Sequence, residues 1–179
     1  PLMTMSYFGG TAIEAGIIEI AFSVGMLLGG VILGLWGGIK NRVTSMALAN
    51  FVTGLLLLAT GLLPPSAFIV YAVFTGLMGI VTPFFNGPFT ALLQQRIPSQ
   101  YLGRVMSLSS TIFSLSSPFG LILSGLFAEL LGVNVFFVLS GIAVSLITLL
   151  FIIPKSVRVL DKDATWAALA EAQDDTALP

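Results

Sequence analysis

The chain has 179 residues, of which 56% are hydrophobic and only 8% charged, a balance far from that of water-soluble domains. Seven Lys and Arg against eight Asp and Glu leave a net charge of -1, so no basic surface exists to neutralise a run of phosphates, and nucleic acid is excluded as a partner. With no Cys and no His, disulfides, thiolate nucleophiles, imidazole acid-base chemistry and the commonest transition-metal ligands are excluded together.

A helix crosses about 30 Å of hydrocarbon with roughly 20 apolar residues at about 1.5 Å each. Charge-free runs of that length cover residues 20–39, 43–95, 105–128 and 130–154. The second is too long for one crossing and is interrupted by Gly61, Pro64 and Pro65, a helix stop followed by a turn. The prediction is an all-α integral membrane fold with five transmembrane helices, over residues 15–38, 43–63, 67–93, 106–128 and 133–153.

The positive charges give that zigzag a direction. Lys40 and Arg42 fall between the first and second spans, Arg96 and Arg104 between the third and fourth, and Lys155, Arg158 and Lys162 after the fifth. The other two connections carry none, so all seven positive residues share one face, which the positive-inside rule assigns to the cytoplasm of a plasma (inner) membrane. The same topology places residues 1–14 outside. An odd number of spans with an outside start, and a first residue Pro1 with neither Met nor signal-peptide character, lead us to expect further spans upstream. Residues 1–155 then form an incomplete helical bundle whose preceding span is missing, with residues 1–7 as the outer end of that span. Residues 156–179, with Asp161, Asp163, Glu171, Asp174 and Asp175, read as a cytoplasmic polar tail with a weak helix over 163–172.

In chain order, the first span carries Gly-x-x-x-Gly at Gly25/Gly29 and again at Gly30/Gly34/Gly38, spacing that allows close backbone packing, static or sliding, between helices in lipid. It also holds Glu19 among apolar residues. An acid at membrane depth costs several kcal/mol against lipid, so Glu19 either faces a cavity or reaches the hydrated headgroups. Its helical face continues through Phe22, Ser23, Met26 and Gly30, a mixture suited to hydrophobic and cationic molecules. The third span contains Thr82-Pro83-Phe84-Phe85-Asn86-Gly87-Pro88-Phe89, whose two prolines each remove an intrahelical bond. That helix is expected to kink or unwind, either as a path-lining element or as a structural bend capped by Asn86, with Phe84, Phe85 and Phe89 as aromatic walls or lipid-facing bulk. The fourth span places Ser107, Ser110, Ser114, Ser117 and Ser124 on one stripe, either hydrogen-bonded to a neighbouring helix or lining a watery path.

Three stretches carry a family resemblance. Gln95-Arg96-Ile97-Pro98-Ser99-Gln100-Tyr101-Leu102-Gly103-Arg104-Val105-Met106-Ser107 resembles the cytoplasmic link between spans ten and eleven of major facilitator transporters. Gly34-Leu35-Trp36-Gly37-Gly38-Ile39-Lys40-Asn41-Arg42 is similar to the degenerate second copy of that superfamily's basic loop, but lacks the acid of the first copy, so a gating ion pair is not carried over. Pro1-Leu2-Met3-Thr4-Met5, Gly9-Gly10-Thr11-Ala12, Glu19-Ile20-Ala21-Phe22 and Gly25-Met26-Leu27 together resemble the macrolide-efflux branch of the drug antiporters.

The resemblance covers nearly all of residues 1–154 and implies that the five helices are spans 8–12 of a twelve-span fold, in the carboxy-terminal half. In that fold spans seven, eight, ten and eleven line the cavity. That selects Glu19, Ser23, Met26, Asn86, Phe89, Ser110, Ser114 and Ser117 as substrate-binding or coupling residues, makes Lys40, Arg42, Gly103 and Arg104 conformational-loop residues, and leaves the span with Asn50 at the periphery. The implied activity is proton-coupled efflux of amphipathic drugs such as macrolides by alternating access, with no cofactor and no metal, a small amphipathic molecule and protons as partners, and the missing amino-terminal half supplying the rest of the cavity. A metabolite importer of the same fold is the alternative. A non-transporting membrane scaffold would leave Glu19 and the proline-rich span without a role, and an enzyme lacks the side chains, since apart from Glu19 no acid, Cys or His lies within a predicted span.

Overall fold

The structure, a computed structural model, describes residues 3–39 and 41–152. Lys40, Lys155, Arg158 and Lys162, the tail with its expected helix over 163–172, and residues 1–2 lie outside the described residues. Among the described residues five helices are long and apolar enough to cross a membrane: α1 (Ala12–Trp36), α2 (Arg42–Gly61), α3 (Phe68–Arg96), α4 (Ser99–Leu131) and α5 (Val133–Ile152). A π-helical turn at Met3–Tyr7 precedes them.

The connections are short because the local chemistry stops each helix sharply. At the start of α1 the Glu14 carboxylate accepts the Thr11 backbone N–H at 2.6 Å, occupying the first turn with the charge sign the helix dipole favours. Gly37, with φ 76, closes α1 in the left-handed conformation and donates its N–H to the Leu33 carbonyl at 2.8 Å. The Asn41 side chain accepts the Thr44 N–H at 2.7 Å and opens α2. Pro64 accepts from Ala67 in the turn before α3, and the single residue Gly132, φ 87, links α4 to α5.

Two sequence expectations change here. The fourth helix begins at Ser99, well before residue 106, so Gly103 and Arg104 are helical and do not form a loop. Pro98 sits just before its first turn, where the missing N–H costs nothing, and its carbonyl accepts from Tyr101 and Leu102. Thirty-three residues make α4 about 50 Å long, so its first turns reach past the hydrocarbon and an arginine there is no bar to helix. Arg42 is likewise the first residue of α2. The third helix is continuous through Pro83 and Pro88, so it is not unwound between them.

Packing follows the glycines. Gly25 and Gly29 of α1 lie so close to α3 that a Cβ on either would run into the Gly76 or Ile80 carbonyl, and a Cβ on Gly79 would run into the Phe22 carbonyl. In lipid, where helix association has no hydrophobic driving force, such backbone approach supplies the contact. A second seam joins α2 to α5 at Gly54, Gly61 and Gly141 in the same manner, and α2 also packs on α3. Hydroxyls in the spans, such as Thr53, Thr75 and Thr148, donate to the carbonyl one turn back, whereas the Ser145 hydroxyl, buried where Gly54 of α2 meets α5, has no hydrogen-bond partner among the described residues. The fourth helix stands apart: none of its membrane-length window is buried.

The π-helical turn closes one end of the bundle. Met3 and Thr4 are 1% and 0% exposed, Phe8 stacks on Tyr71 at 5.1 Å, and the Tyr7 hydroxyl donates to the Leu63 carbonyl at 2.8 Å. Arg42, Arg96 and Arg104 gather at the opposite end, where the Arg42 guanidinium donates to Gln95 Oε1. By the positive-inside rule the arginine end is expected on the cytoplasmic side. With Pro64→Cys and Arg96→Cys placed singly in a background free of other cysteines, an impermeant thiol reagent on intact cells should label position 64 and spare position 96. The reverse pattern would invert the assignment.

Candidate functional site

At about 100° per residue, α1 presents three faces. Ile18, Gly25 and Gly29 are buried toward α3, with Phe22 and Leu33 half-buried beside them. Ile13, Ile20, Val24, Leu28, Val31 and Leu35 form an exposed, wholly aliphatic face. The third face holds Glu19, Ser23, Met26, Gly30 and Gly34, and it is exposed as well. The aliphatic face suits lipid. A carboxylate flanked by small residues does not, and within the described residues the Glu19 side chain has no hydrogen bond or ion pair; only its backbone carbonyl is engaged, by the Ser23 hydroxyl at 2.8 Å. Glu14 differs, because its carboxylate is held in the helix cap.

On α3, Asn86 is exposed, while Phe85 and Phe89 are half-buried and stacked with ring centroids 6.0 Å apart. Phe113 of α4 meets Phe89 edge-on at 6.0 Å, giving the otherwise loosely attached α4 an aromatic contact with α3. Ser107, Ser110, Ser114 and Ser117 are exposed, and among the described residues none of their hydroxyls bonds another helix, so the interhelical hydrogen-bonding role is not what this arrangement shows.

The predicted residues fall into two layers. Gly25 of α1 lies level with Gly76 and Ile80, and Leu33 level with Gly87, so these parallel helices keep a nearly constant register. Asn86 therefore sits beside the Leu33 level, about 20 Å along the axis from Glu19. Phe89 and Phe113 bring Asn86, Phe89, Ser110, Ser114 and Ser117 to similar depth toward the arginine end. Glu19 and Ser23 form a separate layer toward the π-helical turn, with Met26 between the two. Sequence reasoning missed Phe113, which its isolation on a serine-rich helix concealed, and Pro118, whose ring removes the amide partner of the Ser114 carbonyl within the serine stripe. It also missed Gly76 and Gly79, for which the small-residue spacing on α3 was the available signal.

The sequence profile of the Major Facilitator Superfamily matches residues 1–173. The chain belongs to that superfamily. Macrolide efflux protein A of Streptococcus pyogenes is 44% identical over 161 residues, which cover 90% of this chain and 40% of that protein. Macrolide efflux protein A of Enterococcus faecalis is 45% identical over 121 residues, 68% of this chain and 38% of the relative. Multidrug efflux pump Tap of Mycolicibacterium fortuitum is 25% identical over 150 residues, 83% of this chain and 36% of the relative. No solved structure matches. The chain thus spans about 40% of the length of the curated relatives it matches, and it is a multi-pass membrane protein of that superfamily.

Proposed function

We propose that this chain is the carboxy-terminal half, spans 8–12, of a proton-coupled exporter of amphipathic drugs such as macrolides, working by alternating access in the plasma membrane with its carboxy terminus in the cytoplasm. The observation that carries this reading is the exposed face of Glu19, Ser23 and Met26 beside the aliphatic face of the same helix. The names of the relatives support the drug class. In this reading the Glu19 layer supplies a group that can bind and release a proton or hold a cationic amine, and the layer of Phe85, Phe89, Phe113 and Asn86 supplies aromatic surface for the apolar body of the drug. The facing half of the cavity comes from elsewhere in the protein.

The test uses the full-length protein in drug-sensitive cells. Cells expressing it should hold less radiolabelled macrolide than control cells, and an uncoupler that collapses the proton gradient should abolish the difference. Unchanged accumulation would remove the efflux reading, increased accumulation would favour an importer, and efflux indifferent to the uncoupler would remove proton coupling alone.

A further inference from the structure

A proline at position i has no N–H for the carbonyl at i−4. In α3, Pro88 therefore leaves the Phe84 carbonyl without its helical partner, inside a hydrocarbon-length span where an orphaned acceptor is costly. The structure shows what takes the place of that amide. Ser45 of α2, 1% exposed, donates its hydroxyl to the Phe84 carbonyl at 3.1 Å. Every other serine or threonine hydroxyl that bonds within the described spans donates to a carbonyl of its own helix. Ser45 is the departure from that pattern, and it meets the one kind of backbone group that needs an outside donor.

A second link lies three residues away on the same face of α2. Arg42 donates to Gln95, which is eleven residues, close to three full turns, beyond Phe84 on α3. The first turn of α2 thus holds both ends of the α3 segment that contains Pro88. On that segment Asn86 and Phe89 lie roughly 200° and 140° around the helix from Phe84, away from α2 and on the side of the proposed drug path.

We infer that Ser45, on the helix expected to be peripheral, is a positioning residue: by serving the carbonyl that Pro88 leaves open, it sets how α3 passes through the proline and so where Asn86 and Phe89 stand. The consequence for transport rests on the efflux reading above, whereas the hydrogen bond and its effect on Asn86 do not.

The discriminating variant is Pro88→Ala, which restores an amide to the Phe84 carbonyl and makes the Ser45 hydroxyl dispensable. In the full-length protein, Ser45→Ala should raise the KM for drug roughly three- to tenfold, the size expected for one lost buried hydrogen bond, with little change in maximal rate. It should also change, by severalfold, the rate at which a thiol reagent labels Asn86→Cys in membranes. Ser45→Thr, which keeps the hydroxyl, should behave as the parent. In a Pro88→Ala background, Ser45→Ala should change neither readout. A simple packing role for Ser45 would give the same effect in both backgrounds, and that additivity would overturn the inference, as would unchanged labelling of Asn86→Cys in the Pro88 background. If Ser45→Ala fails to accumulate in membranes, adding Pro88→Ala should restore it, and failure to do so would also overturn the inference. A parent protein that exports no drug, yet shows the predicted labelling pattern, would overturn the efflux reading and leave the positioning role standing.

Discussion

Glu19→Gln in the full-length protein is expected to lower proton-driven drug efflux at least about tenfold while leaving membrane levels unchanged, because a coupling or binding charge is worth more than the ~1.4 kcal/mol that a factor of ten represents. Gln keeps the length and shape of the side chain and loses only the ability to carry charge and exchange a proton. Folding should be indifferent, since within the described residues the Glu19 carboxylate bonds to nothing and its helix is capped by Glu14. Glu19→Asp retains the charge one methylene back and should recover part of the activity. The measurement is accumulation of a fluorescent cationic substrate at matched expression, with and without an uncoupler. Full efflux by Glu19→Gln for every substrate would show that the carboxylate merely reaches hydrated headgroups, and would move the coupling group to another part of the protein.

The second large effect concerns the seam between α1 and α3. A Cβ on Gly79 would overlap the Phe22 carbonyl and come within 3.0 Å of the Met26 amide nitrogen, and both are backbone atoms that cannot rotate aside. Gly79→Val should therefore force the two helices apart. Overpacking of ordinary cores costs about 1–3 kcal/mol, and backbone against backbone belongs at or above the top of that range. Against a total stability of about 5–15 kcal/mol, that loss should cut the steady-state level in membranes severalfold. Gly30→Ala is the matched control, since nothing lies within 4 Å of a Cβ there among the described residues. It should leave the protein level normal, and any effect should appear in transport. Immunoblots of membrane fractions report the levels; normal accumulation of Gly79→Val would mean that the glycine seam is not what holds α1 to α3.

The five crossings and the basic end could be read from the chain because hydropathy and charge act on each residue singly, against lipid or water, and add along the sequence, while the family came from the resemblance of particular stretches such as residues 95–107. Helical spacing was enough to put Glu19, Ser23 and Met26 on one face. Position along a strand of text did not reveal which surfaces meet. Gly25/Gly29 and Gly30/Gly34 have the same spacing, yet only the first pair lies against α3, because Gly76 and Gly79 stand opposite it. The charge at Arg104 suggested a loop, but outside the hydrocarbon a helix tolerates arginine and α4 simply continues. Glu19 and Asn86 shared one expected cavity until the register between α1 and α3 set them about 20 Å apart. Ser45 looked like any serine in an apolar helix, and only the approach of α2 to α3 gave its hydroxyl the Phe84 carbonyl, 39 residues away. In lipid the contact between two apolar helices is decided by backbone approach and by the few polar groups left unpaired, and both depend on the partner surface, which exists only once the helices are packed.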